Sequence, residues 1–140
     1  MGDLKMEVKF IEFDIKGDER GKLIALEQFK NIPFEIKRVY YIYNLKNNIP
    51  RGFHAHKNLQ QVAICIRGGC KFLLDNGKEK VKDIILDSPN KGLFIDKMIW
   101  HEMYDFSEDC VLIVLASDYY DESDYIRDYE EFLKFQKGEE

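Results

Sequence analysis

Turn chemistry returns along this chain at intervals that leave room for little except strands. Lys16-Gly17-Asp18-Glu19-Arg20-Gly21, Asn31-Ile32-Pro33, Arg67-Gly68-Gly69, Asp75-Asn76-Gly77 and Pro89 to Gly92 each set Gly, Pro, Asn or Asp between apolar runs. Glycine and asparagine supply positive φ, proline fixes φ, and Asn-Gly suits a tight hairpin. The intervening runs are Phe10 to Ile15, Leu23 to Leu26, Phe34 to Leu45, Val62 to Ile66, Cys70 to Leu74, Val81 to Leu86, Leu93 to Ile95, Met98 to Met103 and Cys110 to Ala116. They are short, rich in β-branched and aromatic residues, and several alternate apolar with polar. This pattern predicts an all-β sandwich or barrel.

Only the tail changes period. From Asp121 to Gln136 the residues Tyr125, Ile126, Tyr129, Phe132 and Leu133 fall on one helical face, with Asp121 or Ser123 available as N-cap. One C-terminal amphipathic helix closing a β body is the expectation. With 140 residues and no repeat, linker or low-complexity segment, the chain reads as a single domain over residues 1–140.

Composition removes several classes of partner. The net charge is -5 and no basic cluster exists, which argues against nucleic acid, although a few converging arginines would still bind a small anion. No apolar run approaches the ~20 residues of a membrane span. Asp3, Lys5, Glu7 and Lys9 interrupt any secretory core at the N-terminus, so a cytoplasmic protein with no membrane contact is expected. Cys65, Cys70 and Cys110 are odd in number, lie in apolar runs and lack Cys-x-x-Cys spacing, which fits small buried hydrophobes.

The chemistry concentrates in Arg51-Gly52-Phe53-His54-Ala55-His56-Lys57. Side chains alternate across a strand, so His54 and His56 share a face while Phe53 and Ala55 take the other. The apolar run Val62 to Ile66 follows at once, so the imidazoles stand at the entrance to a core strand. A metal pair, a proton-transfer pair and a structural pair are all consistent with the spacing alone. In the run Phe34 to Leu45, Arg38, Tyr40 and Ile42 share one face, and Val39, Tyr41 and Tyr43 the other. The third histidine, His101, sits beside the sole tryptophan in Trp100-His101-Glu102-Met103.

Gly52-x-His54-x-His56, the buried strand, Gly68 and the later Trp100-His101 resemble the two sequence blocks of the cupin superfamily, which implies a jelly roll or small β-barrel. A closer resemblance covers nearly the whole chain. Ile36 to Ile42, Arg51 to Lys57, Leu86-Asp87-Ser88-Pro89, Trp100 to Met103 and Leu115 to Glu122 together are similar to the cupin-fold sugar 3,4-ketoisomerases acting on TDP-4-keto-6-deoxy-D-glucose. The chain departs from the family at Asp96-Lys97-Met98, where relatives tend to have Gly-Pro-Ala. Where metal-binding cupins place a glutamate after the second histidine this chain has Gln60-Gln61, and neutral amides are poor transition-metal ligands, so no metal and no cofactor are expected.

The resemblance implies His54 as the base at sugar C3, with His56 and Tyr40 orienting the sugar or passing protons to its oxygens. It implies Arg38 and Arg51 on the diphosphate. Arg20 with His101 matches members giving the galacto product at C4, TDP-3-keto-6-deoxy-D-galactose, whereas gluco producers tend to carry Tyr and Arg there. A homodimer, often with exchanged strands, is implied as well. Three other readings stay open at this point: a TDP-sugar 3,5-epimerase of the same fold, a non-catalytic sugar-nucleotide binding module, and a metal-dependent cupin oxygenase.

Overall fold

The structure is a computed structural model that describes residues 6–138. The strands are β1 (Lys9–Glu12), β2 (Lys16–Asp18), β3 (Gly21–Leu23), β4 (Arg38–Ile42), β5 (Arg51–His56), β6 (Gln61–Arg67), β7 (Cys70–Asp75), β8 (Lys80–Leu86), β9 (Lys91–Ile95), β10 (Trp100–Tyr104), β11 (Val111–Ala116) and β12 (Tyr125–Ile126). Among the described residues one α-helix, α1 (Tyr129–Gln136), follows the last strand. Two five-stranded antiparallel sheets, ordered β1-β9-β6-β11-β4 and β12-β5-β10-β7-β8, pack as a cupin-type jelly roll, and β2 and β3 pair only with each other. The all-β expectation with one C-terminal helix is met.

Alternation decides what each face meets. Ala63, Cys65, Leu93, Ile95, Leu112 and Val114 of the first sheet turn inward onto Cys70, Phe72, Leu74, Ile84, Leu86 and Met103 of the second. From Gln61 to Cys65 strand β6 is buried on both faces, which is why Val62-Ala63-Ile64-Cys65 reads as an unbroken apolar run, and Ile66 beyond it is exposed. Its outward residues Val62 and Ile64 lie under Phe13, Ile32 and Phe34, from the segment that precedes β4. Outside the second sheet, Phe132 of α1 seats on Ala55, Trp100 and Ile126. Phe132 is fully buried, a contribution of about 1.5–3 kcal/mol that holds the helix against the histidine strand.

Two local expectations require correction. The helix does not begin at Asp121 or Ser123: Asp121 caps a short 3-10 turn at Glu122–Asp124, and the chain then extends as β12. Tyr125 pairs with His56 and Ile126 with Ala55, so the open edge of β5 captures backbone groups that a helix would have used internally. The helix starts only after Asp128, whose carboxylate accepts from the Glu131 N–H at 3.1 Å. The run Leu23 to Leu26 also departs from expectation: only Leu23 lies in a strand, and the turn before it is itself a small hairpin of β2 and β3, three residues each and wholly exposed.

Candidate active site

His54 owes its position to a bulge. His101 of β10 pairs with His54 while Glu102 pairs with Gly52, leaving Phe53 as an extra residue on β5. Gly52 has φ +97° and Phe53 φ +61°. A Cβ at residue 52 would lie 2.8 Å from the His101 carbonyl oxygen, so the close approach of β5 to β10 requires glycine there. The bulge leaves Phe53 part-exposed at the mouth of the same cavity and restores the alternation that sends His54 and His56 inward.

Three imidazoles converge as a result. The ring centroid of His54 is 5.0 Å from that of His56 and 4.5 Å from that of His101, and His56 and His101 are 6.2 Å apart. Tyr125, brought in by β12, lies 4.9 Å from His54 and 4.4 Å from His56. Burial holds all three histidines toward the neutral form. His54 is lowered from the ordinary imidazole value by desolvation, His101 falls well below it for the same reason, and His56 is pushed down to about 3 by desolvation and then by the charge of its neighbour His54.

The tautomer of His54 follows from its partner. Its Nδ1 is 3.1 Å from the Gly52 carbonyl, which can only accept, so the neutral ring carries its proton on Nδ1 and leaves a lone pair on Nε2. A ring in that form can accept a proton at Nε2. His101 stands likewise, with Nδ1 3.4 Å from the Ile99 carbonyl. His56 is 3 % exposed and, among the described residues, makes no hydrogen bond at either ring nitrogen; its Nδ1 is 3.3 Å from the Asp124 carboxylate, out of line for a bond.

These groups open on a cavity of about 450 Å³, within the roughly 300–1,000 Å³ common for small-molecule sites. Arg38, Tyr40, Arg51, His54 and His101 line it, together with Tyr125 and Arg127. Its wall thus joins β4, β5 and β10 to the segment around β12. His56 faces a smaller neighbouring cavity of about 60 Å³, shared with Arg38, Asp121, Asp124 and Tyr125. Burial first of all pushes the Tyr40 phenol up to about 12, so it stays protonated at neutral pH. The Arg38 guanidinium lies 5.4 Å from the Tyr40 ring centroid, and among the described residues neither Arg38 nor Arg51 makes an ion pair. Two guanidinium forks on one rim suit an anionic ligand with paired oxygens.

Arg20 is not in the cavity of its own chain. It sits on the β2–β3 hairpin, 86 % exposed at the side chain, forked onto Asp18 at 2.7 to 3.2 Å. The sequence reading missed Tyr125, Arg127 and Asp124, because a helix from Asp121 would have turned Tyr125 away from the histidines. The signal was present: Asp128-x-x-Glu131 is a capping pattern that starts the helix later. Arg127 is held by Glu122 through two bonds of 3.0 Å and lies 4.3 Å from the Tyr125 ring centroid.

Gln60 and Gln61, which stand where metal-binding cupins have a glutamate, are both engaged: Gln60 donates to the Asp96 carboxylate at 2.9 Å and Gln61 to the Tyr40 hydroxyl at 2.7 Å. Among the described residues no group of three His, Cys, Asp or Glu side chains is arranged to hold a metal ion. The three cysteines are buried and free, with Cys65 and Cys110 sulfurs 3.7 Å apart.

Comparison with known proteins gives a consistent result. A family model described as FdtA, WxcM-like, C-terminal, matches residues 6–137. The chain is 57 % identical over 130 residues to a TDP-4-oxo-6-deoxy-alpha-D-glucose-3,4-oxoisomerase of Aneurinibacillus thermoaerophilus, covering 93 % of each protein. It resembles the crystal structure of a 3,4-ketoisomerase from Helicobacter canadensis at 55 % identity and TM-score 0.90, covering 94 % of this chain and 98 % of that one. A third likeness, at 46 % identity and TM-score 0.90 over 94 % of this chain and 95 % of the other, is to the sugar 3,4-ketoisomerase QdtA of Thermoanaerobacterium thermosaccharolyticum, solved in complex with TDP.

Proposed function

The chain belongs to the FdtA family, and on that premise we propose that it is a cofactor-independent isomerase that moves the ketone of TDP-4-keto-6-deoxy-D-glucose from C4 to C3, in deoxysugar biosynthesis. The observation that carries the reading is the His54 ring, with its lone pair on Nε2, lining a cavity that also holds a protonated phenol and two unpaired arginines.

The chemistry needs only proton movement. The C4 ketone acidifies the hydrogen on C3; His54 Nε2 takes that proton, a C3–C4 double bond forms and O4 takes the negative charge. The hydroxyl on O3 then gives up its proton as the C3 carbonyl forms, and C4 receives a proton. Atoms and electrons balance within the sugar, so no hydride carrier enters. Tyr40 donates to the oxygen on which charge develops, and His56 orients the sugar or relays the oxygen-bound proton. Arg38 and Arg51 receive the diphosphate.

Arg20 and His101 go with the galacto product, TDP-3-keto-6-deoxy-D-galactose. The working form is a cytoplasmic homodimer in which the exposed β2–β3 hairpin of one subunit reaches the other. Two features support this: among the described residues the hairpin pairs with neither sheet of its own chain, and edge strand β4 leaves Val39 and Tyr41 52 % and 66 % exposed, with the Tyr43 ring 6.1 Å from that of Tyr41. No helix among the described residues is long and apolar enough to cross a membrane.

The test is incubation of TDP-4-keto-6-deoxy-D-glucose with the protein in D₂O, followed by NMR. The proposal requires a 3-keto product with deuterium at C4 and the galacto configuration there. Retention of the 4-ketone with label at C3 and C5 would make the protein an epimerase, and unlabelled substrate bound without turnover would make it a binding module.

A further inference from the structure

We infer that Gln61 is a positioning residue that aims the single proton of Tyr40 into the substrate cavity. The inference rests on the role just proposed for Tyr40. Gln61 opens β6, is 2 % exposed, and is absent from the lining of the 450 Å³ cavity, so it acts through another residue. Its amide Nε2 donates to the Tyr40 hydroxyl oxygen at 2.7 Å.

Sheet register explains how the two meet although β11 lies between their strands. Ala116 pairs with Arg38 on one side and Gln61 on the other, and Val114 pairs with Tyr40 on one side and Ala63 on the other. Ala116 is small and fully buried, which leaves space above the sheet for the Gln61 side chain to lean diagonally across to the phenol.

A phenol has one proton to give. With an N–H donating into its oxygen from below, that proton cannot also point at Gln61, and Tyr40 makes no other hydrogen bond to the protein among the described residues. It therefore faces the cavity, where an enediolate oxygen would need it. The same amide stabilises the phenolate left behind, which lowers the phenol against the larger raising effect of burial. A carboxylate at position 61 would reverse the bond: it would accept the Tyr40 proton and withhold it from the sugar.

The experiment compares wild type, Q61E and Q61M, each alone and in a Y40F background, by steady-state kinetics with TDP-4-keto-6-deoxy-D-glucose and by NMR titration of ¹³Cζ-tyrosine, with Y40F identifying the resonance. Tyr125, Arg38 and Arg51, the other groups acting on the phenol, are unchanged throughout. In Q61E, kcat should fall at least about tenfold with KM within threefold, since a positioned acid contributes about 10²–10⁴-fold in rate. The Tyr40 resonance should titrate at higher pH in both variants, and neither substitution should lower kcat further once the Tyr40 hydroxyl is gone.

Q61M, similar in size and without a donor, carries the test if Q61E does not fold. Wild-type kcat in Q61E, an unmoved Tyr40 titration, or equal losses with and without the hydroxyl would each overturn the assignment. Absence of isomerisation by the wild type would instead remove the proposed function, while the titration would still decide what Gln61 does to Tyr40.

Discussion

Replacing Gly52 with alanine tests whether the bulge builds the site. Two costs add. An L-residue in left-handed backbone loses about 1–2 kcal/mol, and residue 52 stands at φ +97°. The new methyl would also lie 2.8 Å from the His101 carbonyl oxygen and 3.2 Å from Glu102 Cα, both backbone atoms of the neighbouring strand, so β5 and β10 must part. Overpacking of this kind costs about 1–3 kcal/mol. The sum is about 2–5 kcal/mol, and at about 2.1 cal/mol/K per residue a chain of this length should lose roughly 7–17 °C in Tm. Parting the strands also moves His54 away from His101, and a displacement near 1 Å can cost about 10²-fold in rate. Thermal unfolding at matched protein concentration, with kcat measured well below the transition, reads both effects. Gly52→Asn separates them: asparagine tolerates positive φ but carries the same Cβ, so it should rescue little. An alanine variant within 2 °C and twofold of wild type would refute the account.

His54→Asn should abolish solvent deuterium uptake at C4 and lower kcat/KM by about 10²–10⁴-fold with little change in Tm; NMR of the labelled product measures it. Arg38→Ala should raise KM by roughly 10- to 150-fold, the equivalent of about 1.5–3 kcal/mol for a charge-assisted hydrogen bond, with a smaller change in kcat. Stability should depend on pH through the buried histidines. Their folded values lie below the ordinary imidazole value, His56 at about 3, so the unfolded chain binds more protons below pH ~6.5. Stability is thus complete above that pH and falls as the medium is acidified, by up to about 1.4 kcal/mol per pH unit for each histidine. Urea midpoints that stay flat from pH 7.5 to 5.5 would contradict this.

The parts of the molecule written in local chemistry were legible in the sequence. Asp75-Asn76-Gly77 marks a real reversal between β7 and β8, and alternation along β4 separates half-buried Tyr40 from exposed Tyr41. His54 and His56 share a face as their spacing requires, even though the bulge at Gly52 and Phe53 was not foreseen. What failed was the segment after Asp121, whose conformation is decided by a distant partner. Tyr125 and Ile126 suit a helix locally, yet the free edge of β5, nearly seventy residues earlier, draws them into a strand. Arg127 and Asp124 came to the site by that pairing and by no motif of their own. Gln61 looked like the absence of a metal ligand; across the small Ala116 it is a hydrogen-bond donor to a catalytic candidate.

Strand β12 has a bearing on how such a protein is made. The sheet carrying His54 is finished only when Tyr125 and Ile126 settle along β5, with Phe132 clamping them from outside. Until residues 125 and 126 have been synthesised, the nascent polypeptide presents the histidine strand as a bare sheet margin, open to any neighbouring chain that offers a strand. Truncation after residue 120 would keep all three histidines and leave the β5 edge unpaired, and such a variant should run as larger species in size-exclusion chromatography.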